Sequence, residues 1–187
     1  LASVLPVNDE VRLHSGFLAS LLDPDGKHYQ GPLFLNLFLE RLGLSGWLDS
    51  NLVTVQKERG NVDIYLTDGE RHLIIENKLN AGDQKAQLRR YVENLPKQGE
   101  LSADDIAFLY LTKGRSAPSR PSLGGWELKH VGPHDTKRSR TYVIGESGPV
   151  ARYLNAHYQK EVLDWLADCR REVANLANLR FALDQYR

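Results

Sequence analysis

The pattern of hydrophobic and polar positions predicts two helices followed by three strands in the first half of the chain. Apolar residues recur at helical spacing over residues 8–22 and 33–42, which places them on one face of each helix. Residues 52–56, 62–66 and 72–79 are strand-like, and the Asp-Gly pair between the last two segments indicates a hairpin. We therefore expect the last two of these strands to pair antiparallel.

The next part of the chain is predicted to contain one helix, one buried strand and a long stretch of loops. The helix covers residues 83–95 and ends before Pro96, which cannot continue it. Residues 106–112 are almost entirely apolar, as expected for a strand buried on both faces. Residues 113–148 are rich in Gly, Pro, Ser and basic side chains, and we predict loops there with one short strand over residues 126–131.

Two helices, over residues 153–171 and 173–186, are predicted at the C-terminal end. This order of elements is typical of an α/β fold with a central mixed β-sheet flanked by helices. We expect one core over residues 1–150 and a C-terminal helical extension over residues 151–187 that packs on it. Within the core we distinguish N-terminal helices (8–43), the sheet with its helix (51–112) and a basic loop region (113–148).

Composition limits the classes of protein that need to be considered. The 187 residues are 41% hydrophobic and 26% charged, as in ordinary globular proteins, and no apolar run reaches the roughly 20 residues of a membrane span. The single cysteine, Cys169, cannot form an intrachain disulfide, so a reducing cytoplasm is the expected compartment. The sequence contains no methionine, which indicates either a fragment or a sequence from which modified methionines have been omitted. We therefore rest the functional interpretation on short, self-contained motifs.

Charge is balanced over the whole chain but uneven along it. The formal net charge is zero, which argues mildly against a dedicated nucleic-acid binder. Residues 113–140, however, contain seven Lys or Arg against Glu127 and Asp135, so a local basic surface is expected there. A partner subunit, or a second copy of the chain, is expected to supply further phosphate contacts if the protein binds nucleic acid.

Three charged side chains are candidates for a common site in the predicted hairpin. Side chains alternate between the two faces of a strand, so Glu76 and Lys78 share one face, and the hairpin can bring Asp63 beside them. Two carboxylates can bind Mg²⁺ or Mn²⁺, and such a metal activates water and stabilises charge on a phosphate. Lys78 can orient or deprotonate the attacking water, or contact the phosphate. The alternative is an ion pair at the sheet surface.

Three motifs in sequence order favour the catalytic interpretation: GxxD at residues 60–63, ExK at residues 76–78 and QxxxY at residues 87–91. This ordered triple resembles the RecB-like branch of the PD-(D/E)xK nuclease superfamily. The stretches EVRLHSGFLASLLDPDGKH, GPLFLNLFLE and IIENKLNAGDQKAQLRRY are also similar to a PD-(D/E)xK family encoded in prokaryotic and phage genomes. The resemblance covers residues 8–112 well and the tail more loosely. The proline that usually precedes the first acid is Val62 here.

The resemblance implies a restriction-endonuclease-like core and a metal-dependent nuclease, with DNA as the expected substrate. It also implies a role for each motif residue. The metal ligands would be Asp63, Glu76 and the carbonyl of Asn77, Lys78 would be the catalytic lysine, and Gln87 and Tyr91 would support the site or the substrate backbone. A catalytically silent relative that binds nucleic acid or a protein partner remains the alternative function, although an intact ExK pair favours an active enzyme.

The first predicted helix is a further source of metal ligands. In several members of the superfamily an acid or a histidine from an N-terminal helix completes the metal site. Glu10 and His14 lie one turn apart on one face of this helix, and Glu58, just before the GxxD motif, is a rival candidate. For each of the three residues the alternative is a solvated surface position.

Overall fold

A computed structural model of the chain describes residues 7–59, 62–78, 86–95, 101–114, 116–132, 140–174, 181 and 183–185. The helices are α1 (Val7–Leu22), α2 (Leu33–Arg41), α3 (Gln87–Glu93) and α4 (Leu163–Glu172). The strands are β1 (Thr54–Arg59), β2 (Val62–Thr67), β3 (His72–Lys78), β4 (Ile106–Thr112), β5 (Glu127–Val131), β6 (Arg140–Gly145) and β7 (Gly148–His157). A 3₁₀ turn (Ala103–Asp105) precedes β4, and a π-helical segment (Tyr158–Val162) joins β7 to α4.

The strands of the described residues form one mixed sheet in the order β1-β2-β3-β4-β7-β6-β5. The central strands β3, β4 and β7 run parallel, whereas β1–β2, β2–β3, β6–β7 and β5–β6 pair antiparallel. The carboxyl ends of the three central strands therefore meet at one edge of the sheet. This is the mixed α/β sheet flanked by helices that the sequence predicts, and it is consistent with a restriction-endonuclease-like fold.

Helices cover both faces of the sheet, so that each face has its own apolar layer. On one face α1, α2 and α4 pack against the sheet, and the fully buried Trp165 donates from Nε1 to the carbonyl of Phe34 at 2.8 Å. On the opposite face α3 packs through Leu88 and Tyr91. All seven residues of β4 are buried because this strand lies between the two layers, which confirms the prediction made from its apolar run.

Two strands differ from the sequence-based expectation. The helix predicted over residues 153–171 is wrong at its start, because Tyr153 to His157 belong to β7, and β6 lies in a region predicted as loops. Short apolar segments fit either a strand or a helix. Here, pairing with β4 and β6 makes the segment a strand. The sheet thus continues past residue 150, the predicted end of the core.

The remaining helical predictions differ in how far the structure describes them. The helix predicted over residues 83–95 begins at Gln87 among the described residues, and most of the helix predicted over residues 173–186 lies outside them. No helix in the described part of the chain is long and apolar enough to cross a membrane.

Candidate active site

The register of the β2–β3 hairpin brings the predicted acids to facing positions. Ile64 pairs with Ile75 in this antiparallel ladder, and one further step of the same register places Asp63 opposite Glu76. Directly opposite residues of an antiparallel pair share a face, and Lys78 is on that face two residues beyond Glu76. The structure therefore brings all three residues together on the face of the sheet that α3 covers.

Glu76 is buried and engaged through both of its carboxylate oxygens. The Nζ of Lys78 lies 2.8 Å from Oε1, and the hydroxyl of Tyr91 donates to Oε2 at 3.2 Å. The side chains of Lys78 and Glu76 are only 8% and 4% exposed, so this pair is not the surface ion pair that was the alternative interpretation. Burying two charges is costly unless each has partners, and Lys78 and Tyr91 supply those partners to Glu76.

Asp63 is held by the backbone of the neighbouring strand. The N–H of Asn77 donates to Oδ2 of Asp63 with 2.7 Å between the heavy atoms, which fixes the carboxylate beside the peptide that follows Glu76. The Asn77 side chain points to the opposite face, where its Nδ2 donates to the hydroxyl of Ser15 on α1 at 3.2 Å. Both Asn77 and Ser15 are buried, and their hydrogen bond connects α1 to β3 on the sheet face opposite the acid pair.

A comparison with family models adds an independent observation to this geometry. The model of the PD-(D/E)XK nuclease superfamily matches residues 3–187. The chain belongs to this superfamily. The match extends the resemblance from residues 8–112 to the C-terminal tail. Comparisons with curated proteins and with solved structures gave no match.

Members of this superfamily typically use a divalent metal, and the donor atoms at the acid pair are compatible with one. Asp63 and Glu76 offer carboxylate oxygens from facing positions, and the carbonyl of Asn77 adjoins them on β3. Hard cations such as Mg²⁺ prefer oxygen ligands of this kind. Among the described residues no group of three or more His, Cys, Asp or Glu could hold a metal. A complete coordination shell here would need the carbonyl, water or side chains outside the described residues.

The other predicted site residues are described to different extents. The side chains of Glu10, Glu58 and Gln87 lie outside the described residues. His14 is described: its Nδ1 lies 3.1 Å from the hydroxyl of Tyr158, and the two rings meet edge to face with centroids 5.7 Å apart. His14 thus contacts the segment that follows β7, and its role as a metal ligand stays a prediction.

A second polar network, which the sequence did not reveal, fixes α3 above the site. Arg89 of α3 forms ion pairs with Glu93 and Glu146 at 2.8 and 2.5 Å, and its guanidinium lies 5.5 Å from the centre of the Trp126 ring. Trp126 donates from Nε1 to Glu146 at 3.0 Å. The network ties α3 to the β5–β6 part of the sheet, and so holds Tyr91 over Glu76.

Proposed function

We propose that this superfamily member is a Mg²⁺-dependent nuclease, also active with Mn²⁺, that hydrolyses phosphodiester bonds of DNA in a reducing cytoplasm. The observation that carries the proposal is the buried cluster in which Lys78 and Tyr91 contact Glu76 while Asp63 faces it. Burying these charges costs free energy that burying an apolar cluster would not cost. A catalytic reaction at a phosphate would explain why charged groups occupy this buried position. The choice of DNA follows the resemblance to RecB-like nucleases.

In the proposed reaction Asp63, Glu76 and the carbonyl of Asn77 would hold the metal. When bound, the metal would lower the pKa of the attacking water and stabilise the charge that develops on the phosphate. Lys78, whose ammonium is fixed beside Oε1 of Glu76, orients the attacking water and offers positive charge to the phosphate oxygens as their charge grows. Tyr91 donates to Oε2 and so restricts Glu76 to one orientation.

The binding of DNA is proposed to depend partly on the basic region and partly on a partner. Lys113, Arg120 and Lys129 are exposed and are proposed to contact backbone phosphates. The zero net charge of the chain limits how strongly it can bind a phosphate backbone by itself. We therefore also propose that a partner subunit or a second copy contributes to substrate binding, with Gln87 supporting the substrate backbone near the site.

A cleavage assay on a panel of single- and double-stranded DNA and RNA, with Mg²⁺ or Mn²⁺, tests this function. We expect metal-dependent cleavage of DNA by the wild type and none by Asp63→Asn, which removes a carboxylate ligand but keeps the size of the side chain. Asp25→Asn, at an exposed carboxylate in the turn after α1, is the matched acid-to-amide control and should cleave like wild type. Cleavage of RNA alone would replace the proposed substrate, and equal cleavage by wild type and Asp63→Asn would refute the site.

Isothermal titration calorimetry provides a readout of metal binding that does not depend on turnover. We expect wild type to bind Mg²⁺ or Mn²⁺ weakly and Asp63→Asn to lose this binding, because carboxylate oxygens dominate the donor set. Identical binding isotherms for the two proteins would show that the metal, if any, is held elsewhere.

A further inference from the structure

Polar side chains occupy the carboxyl ends of all three central parallel strands, not only of β3. The register aligns Lys78 with Thr112 on β4, and Thr112 in turn with His157 on β7. In the preceding row Glu76 aligns with Tyr110, and Tyr110 with Asn155. Aligned residues of neighbouring strands share a face, so both rows lie on the α3 face. Ligands of open α/β sheets bind outside the carboxyl ends of the parallel strands, so the outer row, from Lys78 to His157, is the one that substrate can approach.

Among the residues that the structure describes, two atoms in these rows are buried without a hydrogen-bonding partner. They are Oγ1 of Thr112, a residue only 2% exposed, and Oδ1 of Asn155. The Nδ2 of Asn155 donates to the carbonyl of Ser116 and to the hydroxyl of Tyr153, both at 3.0 Å. A buried polar atom without a partner costs free energy, and protein structures rarely keep one without a reason. Between Lys78 and His157 the sheet therefore contains buried polar atoms that the hydrogen bonds of the described residues do not use.

His157 ends its row with a defined donor. Its Nδ1 accepts a hydrogen bond from the backbone N–H of Gln159 at 3.1 Å, which caps the π-helical segment. In the neutral ring Nδ1 is then the acceptor, so the proton is on Nε2 and this atom is a hydrogen-bond donor. The nearby Glu161 carboxylate accepts from the backbone N–H of His157 at 2.6 Å. The His157 side chain is partly exposed and can reach a ligand.

We propose that His157 is a substrate-positioning residue that donates from Nε2 to a non-scissile phosphate of the nucleic-acid strand. This inference rests on the proposed function of the acid pair and extends the substrate path across β4 to β7. Strands in a sheet lie about 4.8 Å apart, so His157 is roughly 10 Å from Lys78 across the sheet. Successive phosphates of one strand are farther apart than the axial rise of about 3.4 Å, so a span of roughly 10 Å covers at most about three nucleotides, and the contacted phosphate lies within about three positions of the scissile one.

The competing explanation is that His157 only caps the π-helical segment, and one substitution separates the two roles. Asn is a good capping residue, and its Oδ1 occupies the position of the histidine Nδ1, but it has no donor at the distance of Nε2. His157→Asn should therefore melt close to wild type, whereas His157→Ala should melt at a lower temperature. We expect both variants to raise KM for the cleaved substrate about tenfold, with the loss in KM rather than in kcat.

The experiment measures KM and kcat for the three proteins, and also their affinity for a labelled oligonucleotide in EDTA by fluorescence anisotropy. Substrates that carry one neutral methylphosphonate at successive positions then locate the contact. We expect the methylphosphonate to raise the KM of wild type about tenfold at one phosphate position, within about three positions of the scissile bond. At that position it should have little further effect on the KM of His157→Asn or His157→Ala. Loss of that position-specific penalty in His157→Asn, at unchanged melting temperature, supports the inference.

The outcomes distinguish this inference from the proposed function. If wild type cleaves or binds the oligonucleotide and His157→Asn matches it in KM and affinity, His157 is a capping residue only and the inference is wrong, while the nuclease assignment stands. The same holds if every methylphosphonate penalty is equal in wild type and variants. If wild type neither cleaves nor binds any nucleic acid, the proposed function fails and the inference fails with it.

Discussion

The two faces of the central sheet bury different kinds of side chain. The face under α1, α2 and α4 is lined mainly by Leu, Ile and Phe, and its largest side chain, Trp165, is fully buried. The face under α3 buries an ion pair between Glu76 and Lys78 together with several tyrosines. An apolar layer stabilises the fold through burial alone, whereas a buried charged cluster needs a specific partner for each group. Substitutions on the two faces should consequently produce different defects.

The largest effect that separates the faces is expected from Lys78→Ala. The ammonium lies beside the acid pair, so its loss should slow the chemical step by about 10²- to 10⁴-fold while substrate binding without metal is largely retained. Single-turnover cleavage at saturating protein measures the first quantity, and anisotropy measures the second.

Lys129→Ala is the matched control for Lys78→Ala, because Lys129 is an exposed lysine on the edge strand β5. It should weaken binding and reduce its salt dependence, with little effect on the single-turnover rate at saturation. If Lys78→Ala cleaves as fast as wild type, Lys78 has a structural role and the two faces do not differ in the way proposed.

On the apolar face, Trp165→Ala should affect stability and leave the chemistry intact. Trp165 packs edge to face against Phe38 at 5.0 Å and donates to the carbonyl of Phe34, so its removal leaves a cavity and loses this hydrogen bond. We expect the free energy of unfolding to fall by about 3–5 kcal/mol, with the single-turnover rate per folded molecule unchanged. Urea denaturation measures the change, and Phe181→Ala, at a side chain that is 66% exposed, is the control with an expected change below about 0.5 kcal/mol.

A smaller effect on the charged face is expected from Tyr91→Phe, which removes one hydroxyl. The hydrogen bond to Oε2 of Glu76 is lost, but Lys78 still holds Oε1, so the carboxylate is loosened and not released. We expect a reduction of roughly tenfold in kcat/KM at saturating metal, and a higher metal concentration for half-maximal activity. A stability loss with unchanged metal dependence would mean that Tyr91 serves packing alone.

The sequence was sufficient to predict the proximity of Asp63, Glu76 and Lys78 because that proximity depends on local rules. Side-chain alternation along β3 and the Asp-Gly turn after β2 determine which residues share a face, and both can be recognised in a short stretch of sequence. The buried strand β4 was predictable for a similar reason, since its apolar run is continuous.

Contacts between distant parts of the chain could not be predicted in the same way. Ser15 meets Asn77 across 62 positions, and Arg89 meets Glu146 across 57, and no local pattern marks either pair. The strand β7 was also missed, because its conformation depends on pairing with β4 and β6 and not on its own composition. The row that ends at His157 could be recognised only once this pairing was known.

The smallest predicted effect is a pH-dependent change in stability, caused by an ion pair between two of the helices that cover the apolar face. Arg41 on α2 donates from Nε to Asp168 on α4 at 2.6 Å, and this hydrogen bond, with a smaller contribution from the ion pair with Arg171 on α4 itself, lowers the pKa of the Asp168 carboxyl despite its burial. A carboxyl with a lowered pKa in the folded state contributes stability above its unfolded pKa of about 3.9, and this contribution is lost as the pH falls through the folded pKa. Because Arg41 is partly exposed, we expect a contribution of only about 1 kcal/mol.

Urea unfolding of wild type and Asp168→Asn between pH 7 and pH 3 should show curves that converge at the acid end. Curves for Asp168→Asn and wild type that stay parallel down to pH 3 would mean that the pair does not couple α2 to α4 energetically.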